Sequence, residues 1–275
     1  MMKLKPTTLA LTLGLLVTPV AFSLPAPTVA LTPALASLSL DDDDDLPDKR
    51  EVVKDLIDQW EDHIKAKGEE DGQAIAVLDK LNMEFANSGP KDRASIVKAV
   101  EKGLTLKRKD NEDGTPEVKV GIACAVVMGG MGPESVKPLI SIATGKKLRK
   151  SEQLHRQSIL ALGKTKHEDA VKPLLGLIAD KEAYIQGAAI EGLGEFREQE
   201  QDVRKEIVSD LIKNIMPLKN AVDNDSSDIL ARERFDVIGP PTITTLQNLT
   251  DQNLRDFNEW QSWWNNNKRE DWDPK

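Results

Sequence analysis

Val136-Lys137-Pro138-Leu139-Ile140 returns 35 residues later as Val171-Lys172-Pro173-Leu174-Leu175, and this echo decides the fold. A second echo accompanies it. Ile159-x-x-Leu162-Gly163 returns as Ile190-x-x-Leu193-Gly194 after 31 residues, and Ala125-x-x-Met128-Gly129 precedes Leu162-Gly163 by 34. Self-similarity at a step of 31 to 35 residues is the mark of an array whose units are helix pairs, each burying its apolar face only against its neighbours. Each unit is expected to hold an Ala-rich first helix ending at Gly129, Gly163 or Gly194, a short turn, and a second helix beginning near a proline. Glycine ends a helix by accepting left-handed backbone, and proline suits a first turn because its missing N–H would have no partner there. Ala123, Ala161, Ala188 and Ala189 are small enough to let neighbouring helices approach closely.

The helical pattern extends on both sides of these echoes. Val52, Val53, Leu56, Ile57, Trp60 and Ile64 recur at three- and four-residue steps, with Asp48 and Glu51 spaced as a capping box. Ile75, Leu78, Leu81 and Phe85 repeat the pattern up to the break at Ser88-Gly89-Pro90, and Ile96, Val97, Val100 and Leu104 mark a third helix. Asp110 to Thr115 is a polar turn, and sustained alternation of a strand kind occurs nowhere. Near the C-terminus, Asp256-x-x-Glu259 offers a cap. Trp260, Trp263 and Trp264 then share one face of a short helix.

Composition narrows the function classes. The chain has 275 residues, 37 Lys and Arg against 46 Asp and Glu, and one cysteine. Lys3 and Lys5 followed by the apolar run Leu9 to Phe22 make a signal-peptide pattern, with Ala34-Leu35-Ala36 supplying small residues for cleavage near 36. Removing residues 1–36 takes away two lysines and no acid, so the mature net charge is −11 rather than −9. General nucleic-acid binding is therefore not expected, and membrane contact is expected only through the signal segment. The lone Cys124, flanked by Ile122, Ala123, Ala125 and Val126, excludes an intramolecular disulfide framework, a thiolate zinc cluster and a CxxC pair. Asp41 to Asp45 repel one another and read as a solvated spacer. The expected organisation is a signal peptide over 1–36, an acidic linker over 37–48, a helical array over 49–250 and a Trp-rich cap over 251–275. The protein is expected to be periplasmic or secreted.

The Leu-Gly helix ends, the V-K-P-L-L helix and Asp180 in the turn before the next unit resemble HEAT-like repeats of the kind found in bilin lyases. The resemblance is good over 117–197 and approximate over 49–107 and 198–250. It implies an all-α solenoid of stacked helical hairpins in a right-handed superhelix, used as a binding surface. Deoxyhypusine hydroxylase resembles this fold too, but it holds iron through several His-Glu dipeptides, and only His167-Glu168 occurs here. Bilin lyases act in the cytoplasm, which does not suit an exported chain.

Candidate chemistry is sparse. His63, His155 and His167 lack metal-ligand spacing, Gly129-Gly130-Met131-Gly132 follows a helix rather than the strand a phosphate loop requires, and Thr144-Gly145-Lys146-Lys147 lacks the rest of a Walker loop. Asp223 to Asp228 lacks the glycine and bidentate glutamate of an EF-hand. Neither catalytic residue, metal site nor cofactor is expected. Two features stand out. Residues 137–172 hold nine Lys and Arg against three acids, and Lys146, Lys147, Arg149 and Lys150 cluster in one turn, where they would either steer an anionic partner, such as an acidic protein segment, an anionic envelope polymer or a lipid head group, or form a solvated loop open to the chain's own Asp41–Asp45 tract. Trp260, Trp263 and Trp264 would either cap the last repeat or form a stacking platform for glycans. The function expected is that of a protein-interaction scaffold. A carbohydrate-binding envelope protein is the first alternative and an enzyme on the same scaffold the second.

Overall fold

The computed structural model describes residues 46–225 and 227–273. The expected signal peptide and residues 37–45 of the acidic linker lie outside the described residues. Among those described, every regular element is a helix. The helices are α1 (Glu51–Lys65), α2 (Asp71–Phe85), α3 (Pro90–Leu104), α4 (Lys119–Gly129), α5 (Pro133–Ala143), α6 (Glu152–Lys164), α7 (Val171–Leu177), α8 (Ala183–Leu193), α9 (Gln201–Asn224), α10 (Ile229–Thr250) and α11 (Phe257–Asn267).

They form two rows. α2, α4, α6, α8 and α10 stack in one row, while α1, α3 and α5 stack in the other and α7, α9 and α11 continue it. Across the rows the most extensive packing joins α1 with α2, α3 with α4, α5 with α6, α7 with α8 and α9 with α10. This is the layered architecture of a HEAT-like solenoid. The repeat is offset by one helix from the sequence expectation: the V-K-P-L-I helix α5 packs far more on the Ala-rich helix after it than on α4 before it. As expected, each such helix begins near a proline: α5 starts at Pro133 and α7 has Pro173 in its first turn, while Pro138 lies inside α5.

The glycines of the echo do not act as left-handed ends either. Left-handed glycine occurs at Gly68, Gly114 and Gly132 among the described residues, whereas Gly194 is helical at φ −66° and ψ −16°. The echoed glycines stand where the helices of the alanine row touch. A Cβ on Gly129 would lie 3.2 Å from Ala161 Cα, one on Gly163 would lie 2.5 Å from both the Cα and the carbonyl oxygen of Gly192, and one on Gly194 would lie 3.1 Å from Thr245 Oγ1. The echo therefore records close approach within the alanine row, which a Cβ would prevent between Gly163 and the Gly192 backbone and would crowd at Gly129 and Gly194.

The first hairpins are locked by exchanged caps rather than by a capping box within α1. Asp48 accepts from the backbone N–H groups of Lys91 (2.9 Å) and Asp92 (3.1 Å) at the start of α3, and Asp92 accepts from those of Lys49 (2.9 Å) and Arg50 (3.0 Å) at the start of α1. Each carboxylate satisfies N–H groups that its neighbour's first turn leaves open. Val53, Leu56, Trp60 and Ile64 form the buried stripe of α1. The Trp60 indole donates to Ala99 O at 2.9 Å, and Gly103 clears room for its ring.

At the far end, Asp256 caps α11 by accepting from Asn258 and Glu259 N–H, in keeping with its spacing. α11 packs on α9. Behind it the chain folds back: Trp272 N–H donates to Gln201 Oε1 at 2.6 Å, and Arg204 donates to Leu249 O at 3.1 Å and pairs with Asp273. No helix among the described residues is long and apolar enough to cross a membrane.

Candidate functional site

The basic turn expected between repeats is a 3₁₀ turn at Lys147–Lys150, between α5 and α6. It faces the connection between α3 and α4 across a cleft of about 810 Å³, walled on one side by Lys146, Lys147 and Lys150 and on the other by Lys107 and Arg108. Odd-numbered helices of one row run the same way, so the residues after α3 and those after α5 arrive at the same edge of the array. Leu106, Val118, Leu148 and Leu154 supply apolar lining between the cations, and Thr105 and Ser151 add hydroxyls.

The four residues of the expected cluster do not share one role. Lys146, Lys147 and Lys150 are exposed and make no ion pair among the described residues. Arg149 does not line the cleft: its guanidinium grips Asp180 through Nη1–Oδ1 at 3.2 Å and Nη2–Oδ2 at 2.6 Å, tying the basic turn to the turn before α8. That hydrogen bond is the main reason the Asp180 carboxyl sits below the usual carboxylate range and Arg149 above its ordinary value. Bidentate pairing of this kind is a fixed geometric clamp, so Arg149 holds the turn in place while the three lysines remain available.

Lys107 is the cation sequence reasoning left out. The run Lys107-Arg108-Lys109 marks it, but only the stacking of α5 on α3 brings it opposite Lys146. Arg108 is engaged, donating to both oxygens of Asp71 at 3.2 and 2.5 Å and to Ile64 O at 2.9 Å. Two carboxylates reach the cleft, Asp110 and Glu117. The backbone N–H of Lys119 donates to Glu117 at 3.0 Å and lowers its carboxyl. The net result is four ammonium groups, none ion-paired among the described residues, around a partly apolar floor, a locally positive surface.

The remaining polar candidates have structural partners. His155 is buried, with Nε2 2.8 Å from Ala143 O and Nδ1 3.1 Å from the Tyr184 hydroxyl, and burial pulls its pKa below the ordinary histidine value. His167 Nδ1 accepts from Asp169 N–H, and His63 lies 2.7 Å from Glu70. Among the described residues, no group of three or more His, Cys, Asp or Glu side chains is placed to hold a metal ion. Burial pushes the Cys124 thiol far up, which keeps it protonated and unreactive.

Of the expected tryptophans, Trp260 is fully buried, while Trp263 and Trp264 are half-buried. The indoles contact one another: Trp260 and Trp263 centroids are 5.8 Å apart and edge-on, while Trp272 lies 5.2 Å from Trp263 at a tilt and 6.1 Å from Trp264 edge-on. Arg204 and Lys205 sit over the Trp272 ring at 6.0 and 5.3 Å. A smaller cleft of about 520 Å³ lies beside α10, between Phe235, Pro240, Ile243 and Phe257.

Comparison with known families bears on the same helices. Residues 136–214 match the family model of HEAT repeats. Over this stretch the chain is similar to HEAT repeats. The match runs from within α5 into α9 and so includes the basic turn, whereas the Lys107 wall precedes it. No curated protein is significantly similar to the chain. HEAT repeats commonly serve as interaction scaffolds.

Proposed function

We propose that this chain is an exported, non-enzymatic HEAT-like scaffold that docks an acidic protein segment in the cleft between Lys107 and the Lys146–Lys150 turn. One observation carries this reading: four lysines without an ion pair among the described residues converge on a single cleft in a chain whose net charge is −9. An array of rigid helices presents such cations in fixed positions, so little ordering entropy is lost on binding. The signal-peptide pattern of residues 1–36 supports export. The test is fluorescence anisotropy with a labelled hexaglutamate peptide at low salt. Binding is expected to weaken steeply between 50 and 300 mM NaCl and to be lost in K146E/K147E/K150E. Equal binding by that variant would refute the site.

We also propose that the C-terminal tryptophans close the array. Trp260 is buried, and Trp272 packs against both Trp263 and Trp264, tilted on the first and edge-on to the second, so the indoles pack on one another. The half-exposure of Trp263 and Trp264 keeps glycan stacking as the competing reading. Blue-shifted emission that resists acrylamide is expected of a cap, whereas emission that shifts on adding soluble glycan strands would favour the platform.

A further inference from the structure

Resting on the reading of the lysine cleft as an acidic-segment site, we propose that one occupant is the Asp41–Asp45 tract of a second copy, so that copies associate head to tail. The tract is the densest run of carboxylates in the chain, five in succession, with Leu40 before it and Leu46 after it. The cleft offers the complementary set, with Lys107, Lys146, Lys147 and Lys150 alternating with Leu106, Val118 and Leu148.

The described chain beside the tract lies at the other end of α3 from the cleft, which favours the cleft of a second copy over its own. Its described end is anchored at the N-terminal end of α3: Pro47 O accepts from Gly89 N–H at 3.0 Å, and a Cβ on Gly89 would touch Leu46 O. Thr105 to Arg108 of the cleft follow the C-terminal end of the same helix. α3 has 15 residues and so is about 22 Å long, while the five residues from Leu46 back to Asp41 reach at most about 17 Å when fully extended. Leu46 and the cation cleft thus lie at opposite ends of α3. Two different patches that meet between copies make a heterologous contact, which propagates from copy to copy. Because each copy carries net negative charge, the contact is weak, favoured by low salt and high protein concentration.

The test uses the full chain in sedimentation velocity from 5 to 200 μM. Wild type is expected to associate at 50 mM NaCl and to be monomeric at 500 mM. A variant with Asp41 to Asp45 all changed to Asn, and the variant K146E/K147E, are each expected to stay monomeric with unchanged helical circular dichroism. Mixed together, they are expected to form dimers, because one keeps the cleft and the other keeps the tract. Wild type that remains monomeric at 200 μM in 50 mM NaCl, or a mixture that behaves like its separate components, overturns the proposal. Labelled hexaglutamate and a labelled peptide of residues 40–46 separate the two layers of the argument. If both bind the cleft while wild type stays monomeric, the acidic-segment site stands and self-docking falls. If neither binds, both fall.

Discussion

Gly163→Ala tests the central packing claim. Gly163 lies within α6, not at a left-handed position, so an alanine there would by helix propensity alone be about 1 kcal/mol more favourable. Against this stands the contact with α8. The new Cβ would lie 2.5 Å from Gly192 Cα and O and 2.8 Å from its carbonyl carbon, all backbone atoms that no rotamer change can move. Relief to an ordinary contact near 3.4 Å requires α6 and α8 to part by roughly 1 Å along a close-packed helix interface, which forfeits dispersion contacts of Ile159, Leu162, Ala188 and Ala189 as well. Overpacking strain of this kind costs about 1–3 kcal/mol or more. A net loss near 2 kcal/mol is expected, equivalent to about 4–8 °C in Tm for a chain of this size. Thermal melts and urea titrations followed at 222 nm measure it. Gly176→Ala serves as control, because Gly176 is helical with nothing within 4 Å of its added Cβ, and should gain about 0.5–1 kcal/mol. Gly163→Asn discriminates further. A left-handed helix end would tolerate Asn better than Ala, whereas the close approach ranks Asn below Ala. If Gly163→Ala is neutral or stabilising, or if Asn outperforms Ala, the reasoning is refuted.

Other outcomes follow from the same contacts. Asp48→Ala and Asp92→Ala should each cost about 1 kcal/mol as lost helix caps, and a double-mutant cycle should give a coupling above about 0.5 kcal/mol because the two carboxylates fasten the same pair of helix starts. Trp260→Ala should cost about 3–5 kcal/mol in the same melts, while Trp263→Ala, at a half-buried ring, should cost clearly less. Burial holds the folded-state pKa of His155 below its ordinary 6.5, so the unfolded chain takes up a proton that the folded chain resists. The stability linked to His155 is therefore full above about pH 6.5 and falls, by at most about 1.4 kcal/mol per pH unit, as pH drops from there towards the folded-state pKa. Melts of wild type and His155→Gln at pH 7.5 and 5.0 check it, and an identical pH slope in both proteins would exclude the effect.

The apolar stripe of α1, the break at Ser88-Gly89-Pro90 and the Asp256 cap were all legible in the sequence, because each depends on residues within one or two turns of one another. The echo of V-K-P-L-I likewise revealed a stacked array, since a unit repeated at a constant step meets the same neighbours each time. What the echoed glycines do was not legible: a glycine that ends a helix and one that admits a second backbone look alike until the facing residue, Gly192, is known. Nor did spacing disclose that Asp48 caps α3 rather than α1, that Asp180 removes Arg149 from the basic cluster, or that Lys107 joins it. Helical periodicity and its repetition could be read along the chain, because hydrogen bonding and apolar spacing within a helix are local. Which charges remain free and where they meet emerged from the packing, because partners some 30 to 45 residues apart are chosen by how the rows stack.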